Sequence, residues 1–175
     1  MSKVKRPFMA LTALGTAAHH GYELNAGVGL VLQPWLGLGG SLAFWTINLP
    51  FLFWAATRGG DRFDKPLAFA TGTALAGTAV HYSLWPWELR RGLPVLTEAE
   101  GLSPEQLPAY NAILWAWAVA SVLAVVRETP RGCLRWFALG LLNGLLLRAS
   151  ARHHFVWATE QARTKPAWWN RGLQP

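Results

Sequence analysis

The chain has little cysteine and few acidic residues. Cys133 is the only cysteine among 175 residues, so an internal disulfide is excluded and the redox compartment cannot be inferred from it. We expect Cys133 to be a small buried apolar residue. Asp and Glu together number 9, against 16 Lys and Arg. The sequence also lacks a P-loop, a dinucleotide-binding fingerprint, a nucleophile elbow and a zinc-protease motif, so none of these enzyme classes is indicated.

Charged residues are absent from three long stretches of the chain. The uncharged runs cover residues 24–57, 66–87 and 106–126, and a helix needs about 20 mostly apolar residues to cross a bilayer. The second and third runs each fit one helix, whereas the first is too long for one. We therefore predict an all-α membrane protein with a single integral membrane domain over 1–175. Its bundle should contain about five transmembrane helices, at 8–33, 35–56, 66–85, 108–126 and 130–158.

Proline and glycine predict the boundaries and contacts of these helices. Pro34 should end the first helix because proline cannot continue one, and Pro50 should kink the second. One longer outer loop follows the third helix, and capping-box patterns at 97–100 and 103–106 predict a short helix within it. Small residues that suit close helix packing in lipid recur on helices three and five: Gly72, Ala76, Gly77, Gly140 and Gly144.

Basic residues predict the orientation of the bundle. The net charge is +7, but the basic residues lie at the ends of apolar runs, which favours a membrane orientation signal over nucleic-acid binding. The basic N-terminal segment resembles a signal peptide without a convincing cleavage site, so we expect it to remain as the first helix. We predict a multi-pass protein of the cell membrane with its N-terminus in the cytoplasm. The residues that favour this face are Lys3, Lys5, Arg6, Arg58, Arg62, Lys65, Arg127, Arg131 and Arg135.

One polar layer stands out within the apolar helices. Glu23 is the only acidic residue inside an apolar segment, and such a residue is costly unless it faces a cavity or a partner. His19 and His20 precede it by four and three residues, the spacing of neighbours on a helix face. At about 1.5 Å rise per residue, the other histidines and nearby polar residues fall at a similar depth in the outer half of the bundle: His81, Tyr82, Arg148, Arg152, His153 and His154.

We interpret this layer first as the site of an integral membrane enzyme that acts on a lipid or isoprenoid-like substrate. Glu23 is predicted to transfer a proton with His19, His20 or His81, because carboxyl and imidazole groups are common general acids and bases. In the turn from His19 to Glu23, the chain resembles the sterol isomerases of the emopamil-binding family, which implies an isomerase or cyclase type of reaction. The expected partner is a membrane lipid or a lipophilic small molecule. The substrate-binding residues are predicted to be Tyr22, Asn25, Trp45, Tyr82, Trp115, Arg148 and Arg152.

Other interpretations stay open at this point. The histidines could bind haem or a metal ion, and two histidines with Glu23 form a chemically reasonable metal site. The chain could instead be a non-catalytic accessory or lipid-binding subunit, as a homo-oligomer or within a larger membrane complex. The purely structural alternative is an ion pair between Arg148 and Glu23 that holds the bundle together. Candidate haem or metal ligands are His20, His81, His153 and His154.

Overall fold

The computed structural model describes residues 4–99 and 101–174, and over these residues the chain is mostly helical, as predicted. The helices are α1 (Pro7–Ala26), α2 (Gln33–Arg58), α3 (Asp64–Leu84), α4 (Leu107–Glu128), α5 (Leu134–Leu142) and α6 (Gly144–Thr164). Two short strands, β1 (Trp87–Arg90) and β2 (Leu93–Leu96), form an antiparallel hairpin. Short 3-10 helices occur at Asp61–Phe63, Arg131–Cys133 and Trp168–Leu173.

Two of the described helices, α2 and α4, are long and apolar enough to cross a membrane. Helix α2 has 26 residues, which corresponds to ~39 Å at 1.5 Å per residue. Almost none of its apolar stretch is buried inside the protein. A surface of this kind indicates contact with a membrane or with a partner. The large apolar side chains exposed along α2 include Trp35, Phe44, Ile47, Phe51 and Trp54.

Charged side chains, with Arg6 buried among them, hold one end of the bundle together. Arg6 is 3% exposed; it donates hydrogen bonds to backbone carbonyls at the end of α2 and pairs with Asp64 at the start of α3. Glu128 at the end of α4 accepts hydrogen bonds of 2.8 Å from the N–H groups of Phe8 and Met9. Its carboxylate therefore caps the first turn of α1. These contacts bring the starts of α1 and α3 together with the ends of α2 and α4, as in a bundle whose consecutive helices alternate in direction.

The same end carries an exposed ion pair. Lys5 donates a hydrogen bond to the carboxylate of Asp61, and this bond and the ammonium charge lower the pKa of that carboxyl. Because Asp61 is exposed to solvent, the pair contributes little to stability. Both residues belong to the connections outside α1, α2 and α3, where charge is expected to concentrate.

Helices α3 and α5 cross at glycine, as the small-residue pattern predicts. A Cβ atom on Gly72 would overlap the carbonyl oxygen of Phe137, and one on Gly140 would overlap the carbonyl oxygen of Phe69. The two backbones therefore touch, which is the form of helix packing that stabilises bundles in lipid. One turn later, Gly144 at the start of α6 lies against the side chain of Ala76, whose Cβ would be 2.9 Å from an added Cβ.

The prediction that the first helix runs to residue 33 is wrong. Helix α1 ends at Ala26, because Gly27 adopts a left-handed conformation with φ of 83° and its N–H bonds to carbonyls of the last turn. This is the usual C-terminal cap of a helix, and glycine adopts it without steric cost. Pro34 lies in the first turn of α2, where a missing N–H costs nothing, so it begins a helix instead of ending one. Helix α2 continues through Pro50, and its backbone departs from helical geometry at Gly37.

The connection between α3 and α4 contains a hairpin where a short helix was expected. Arg91 and Gly92 both have positive φ, which suits a two-residue hairpin turn. The hairpin is anchored by Asn111 on α4, whose side chain accepts a hydrogen bond from the N–H of Leu96 at 2.8 Å and donates one to its carbonyl at 3.0 Å. The predicted capping box at 103–106 forms a single turn, and the other one includes Glu100, which lies outside the described residues.

The last helix is longer than predicted and is interrupted once. Helices α5 and α6 follow one another with only Asn143 between them, and α6 ends at Thr164, not at 158. The tail then folds back on the bundle, because the N–H of Gly172 bonds to the carbonyl of Gly27 at 3.0 Å. Trp169 stacks on Trp157, with 5.6 Å between ring centroids.

Candidate functional site

The last two turns of α1 carry a carboxylate beside two imidazoles. The distance from His19 Nε2 to Glu23 Oε2 is 3.4 Å, and the side chains are 4% and 13% exposed. His20 Nδ1 lies 3.8 Å from the same oxygen. The sequence His-His-x-x-Glu brings the three groups together because residues three and four apart are neighbours on a helix surface.

Two further residues reach Glu23 from other helices. The hydroxyl of Tyr110 on α4 donates a hydrogen bond of 2.7 Å to Glu23 Oε1, and His81 Nε2 on α3 lies 3.7 Å from this oxygen. His81 Nδ1 lies 2.8 Å from the carbonyl oxygen of Gly77. Since a carbonyl only accepts, Nδ1 carries the proton in this bond, and Nε2 of neutral His81 has its lone pair towards the carboxylate. The contact becomes attractive when a proton or a cation lies between the two groups.

Aromatic rings pack around the imidazoles. Trp117 stacks on His19 with ring centroids 5.0 Å apart, and Trp45 lies 4.0 Å from the ring of His20. The rings of His19 and His81 are also in contact, at 4.8 Å. A porphyrin would have to separate rings that touch each other, so the geometry favours a proton or a small ion at this site over haem.

Glu23 has no Lys or Arg partner among the described residues. Its ion pairs are with His19, His20 and His81 alone. Arg148 instead donates a hydrogen bond from Nε to the hydroxyl of Ser83 at 3.1 Å, so the structural ion pair between Arg148 and Glu23 is not formed. A buried carboxylate is costly unless its charge is compensated. The compensation here has to come from a proton on the carboxyl group, from an imidazolium or from a bound cation.

Several predicted substrate-binding residues lie next to this cluster. Tyr22 stacks on Tyr110 at 5.8 Å, and its hydroxyl donates to the carbonyl of Gln106 at 2.9 Å. Trp115 donates from its indole nitrogen to the carbonyl of Pro94 at 2.9 Å. Trp45 packs on the ring of His20, so all three aromatic residues have defined positions close to the site or to the hairpin.

The other predicted residues make contacts elsewhere. Asn25 uses its backbone carbonyl to accept a hydrogen bond from Arg171, and Arg152 is exposed on α6. His153 packs against Trp35, with 5.1 Å between ring centroids. His154 Nε2 lies 2.9 Å from the carbonyl oxygen of Val28 in the loop after α1. The structure therefore gathers three of the five histidines around Glu23.

An apolar cavity of about 610 Å³, open to the surface, lies between α3, α4, α5, α6 and the hairpin. Its lining includes Tyr82 and Leu114, which also pack in the buried cluster that contains Tyr110 and Trp117. The cavity therefore adjoins the residues that contact Glu23 and His19. The hydroxyl of Tyr82 is buried and has no hydrogen-bond partner among the described residues.

Sequence reasoning missed two members of the site, Tyr110 and Trp117. Both lie in the uncharged run 106–126, where a tyrosine at the outer end of a predicted helix is difficult to distinguish from an interfacial aromatic residue. A signal was nevertheless present. Tyr110 falls at the start of α4, at the same outer depth that connected His81 with Glu23.

Comparison with known proteins identifies no relative, so the site is interpreted from its own geometry. No family model, curated protein or solved structure matches the chain. The resemblance to the emopamil-binding family therefore rests on the turn from His19 to Glu23 alone.

Proposed function

We propose that the chain is a multi-spanning membrane protein in which α1, α2, α3, α4 and the pair α5–α6 each cross the bilayer. The exposed apolar surface of α2 supports this proposal, because a lipid environment would cover it. Helix α1 has 20 residues and α3 has 21, lengths within the range that spans a hydrocarbon core. The fifth crossing uses α5 and the apolar first turns of α6.

The N-terminus is proposed to be cytoplasmic. The end of the bundle where Arg6 and Glu128 lie also carries the charged connections 57–65 and 127–135. Basic residues near span ends favour the cytoplasmic side. The hairpin and the tail after α6 then lie on the opposite side.

The proposed activity is proton transfer on a lipid or isoprenoid-like substrate. The observation that carries it is the buried Glu23 carboxylate, which is hydrogen-bonded to Tyr110, contacted by three imidazoles and without a Lys or Arg partner in the described chain. A protonatable carboxyl group beside several imidazoles provides both an acid and a base within a few ångströms. Intramembrane ionisable residues of this kind are rare and usually serve function.

The adjoining cavity suits an apolar substrate. Its volume of about 610 Å³ lies in the range of small-molecule sites, and its lining is almost entirely apolar. Tyr82 offers an unpartnered hydroxyl, which would orient a polar group of the substrate. Tyr82 and the fully buried Leu114 pack between this cavity and the residues that contact Glu23, so their side chains would have to move for a substrate to reach the carboxyl group.

A double-bond shift is the reaction that needs nothing beyond these residues. The Glu23 carboxyl adds a proton to one alkene carbon. The His81 imidazole, whose Nε2 lies beside Glu23, removes a proton from the carbon next to the resulting cation, and the double bond moves by one position. One C–H bond forms and one breaks, so no oxidant or reductant is required. The imidazole then returns a proton to Glu23 directly or through solvent.

Deuterium incorporation tests this activity across all candidate lipids at once. Purified protein is incubated in heavy water with a total membrane lipid extract, and the lipids are analysed by mass spectrometry. We expect a neutral lipid or isoprenoid class to gain deuterium with the wild-type protein and with His153→Gln, but not with His81→Gln. His153 is the matched control because it lies on α6 against Trp35. The absence of any deuterated lipid with folded wild-type protein, or equal labelling by both variants, would contradict the proposal.

A further inference from the structure

We propose that His19 Nε2, His20 Nδ1 and Glu23 Oε2 bind a divalent metal ion of the zinc class. The ligand atoms of these residues all lie within 4.8 Å of one another. Two imidazoles and a carboxylate form a well-known zinc ligand set, and three protein ligands leave one position open for water or substrate. The inference rests on the proposed function for the role of the site and changes one part of it. With a metal bound, Glu23 is a ligand, so a metal-bound water at the open position would supply the proton instead. Metal binding can be measured separately from that role.

One of the ligand distances already has the value of a formed site, and the others are longer. Tetrahedral zinc with bonds of about 2.0–2.1 Å holds its ligand atoms roughly 3.3 Å apart. The His19 to Glu23 distance of 3.4 Å already matches this value. His20 Nδ1, at 3.8 Å from Glu23 Oε2, has to move closer when the ion binds.

Two observations independent of proximity point to a cation. His20 Nδ1, a proposed ligand atom, is buried and has no hydrogen-bond partner among the described residues, although buried polar atoms are normally paired. In addition, the Glu23 carboxylate has only histidines as ionic partners in the described chain. A divalent cation would satisfy the nitrogen and compensate the carboxylate.

The surrounding contacts leave the proposed ligand atoms free to bind. Tyr110 bonds to Glu23 Oε1, which holds the carboxylate and leaves Oε2 for the metal. Outer hydrogen bonds of this kind commonly orient metal ligands. His81 lies beside Oε1, so it is assigned to proton transfer next to the open position and not to the ligand set.

Zinc binding by the full chain tests the inference. The protein is placed in nanodiscs of phosphatidylcholine and phosphatidylglycerol, treated with a chelator, dialysed against Zn²⁺, and analysed for bound metal by mass spectrometry. We expect a single tightly bound zinc per chain for the wild type and for His153→Ala. For His20→Ala and Glu23→Gln we expect affinity lower by at least ~10-fold, since loss of even an outer contact costs about 10–100-fold. Co²⁺ in place of zinc should give the visible absorption of a four-coordinate site.

The outcomes separate this inference from the proposed function. Folded wild-type protein that binds no zinc, or His20→Ala that binds it as tightly as His153→Ala, would overturn the metal site. Deuterium labelling that persists unchanged after the chelator would also overturn its role and leave the proton-transfer function standing. Tight zinc binding without any lipid labelling would leave the metal site standing and refute the function. Thermal unfolding of each variant identifies any that fails to fold, and His20→Gln then replaces His20→Ala.

Discussion

Tyr110 donates a 2.7 Å hydrogen bond to Glu23 across two helices, between residues 87 positions apart in the sequence. The bond connects the start of α4 with the end of α1 and fixes one carboxylate oxygen of Glu23. Within the described core, Glu23 is the only carboxylate that lies among histidines. This connection makes the polar cluster a three-helix site, because His81 on α3 contacts the same oxygen.

Removal of the Tyr110 hydroxyl should impair the site more than removal of a similar hydroxyl nearby. Tyr110→Phe leaves the ring in place but takes away a hydrogen bond to a charged group, which is worth about 1.5–3 kcal/mol. We expect deuterium labelling of the substrate lipid to slow by about 10- to 100-fold. Tyr22→Phe is the matched control, because that hydroxyl bonds to the carbonyl of Gln106 and not to Glu23. Equal labelling rates for the two variants would show that the Tyr110 hydroxyl has no part in the activity.

The glycine crossing of α3 and α5 should be intolerant of a methyl group. In Gly140→Ala the new Cβ would overlap the carbonyl oxygen of Phe69, so the helices must separate at a cost of about 1–3 kcal/mol. Gly132→Ala is the control, since a Cβ there has no neighbour within 4 Å. Thermal unfolding in detergent compares the two. Unfolding temperatures that agree within error would show that the two helices do not pack backbone to backbone.

The proposed orientation predicts which loops can be labelled from outside the cell. Arg62, after α2, and Arg90, in the hairpin, are both exposed arginines, so Arg62→Cys and Arg90→Cys form a charge-matched pair in a Cys133→Ala background. A membrane-impermeant maleimide should label Arg90→Cys in intact cells and label Arg62→Cys only after the membrane is opened. The reverse pattern would invert the orientation, and labelling of both in intact cells would contradict alternating spans between these loops.

The helical character of the chain could be predicted from the sequence, whereas several boundaries could not. The uncharged runs 66–87 and 106–126 correspond closely to α3 and α4, because a run of apolar residues is a local property. The end of α1 depends on Gly27 adopting a left-handed conformation instead of continuing the helix. Both states are open to glycine, and the contact of Gly172 with Gly27 helps to decide between them. That contact joins opposite ends of the sequence and leaves no local signal.

The local sequence pattern did not predict the hairpin, but it predicted part of the polar cluster. The strands at Trp87–Arg90 and Leu93–Leu96 are held by Asn111, a contact that capping-box patterns could not reveal. For the cluster, the spacing of His19, His20 and Glu23 on one helix was sufficient to predict that they are neighbours. Helix depth predicted His81 at the same level, where it contacts Glu23. Depth alone could not separate His81, which faces Glu23, from residues at a similar level that face other neighbours.

The comparison of Glu23→Gln with Glu160→Gln tests the central claim most directly. Both variants neutralise a glutamate, but Glu23 lies in the cluster and Glu160 is exposed on α6. Deuterium labelling of membrane lipids and thermal unfolding are measured on the same preparations. We predict that Glu23→Gln abolishes labelling while it remains folded, and that Glu160→Gln labels as the wild type does. Labelling by folded Glu23→Gln at the wild-type rate would contradict the account, and a Glu23→Gln protein that cannot fold even in lipid would mark the carboxylate as a structural element.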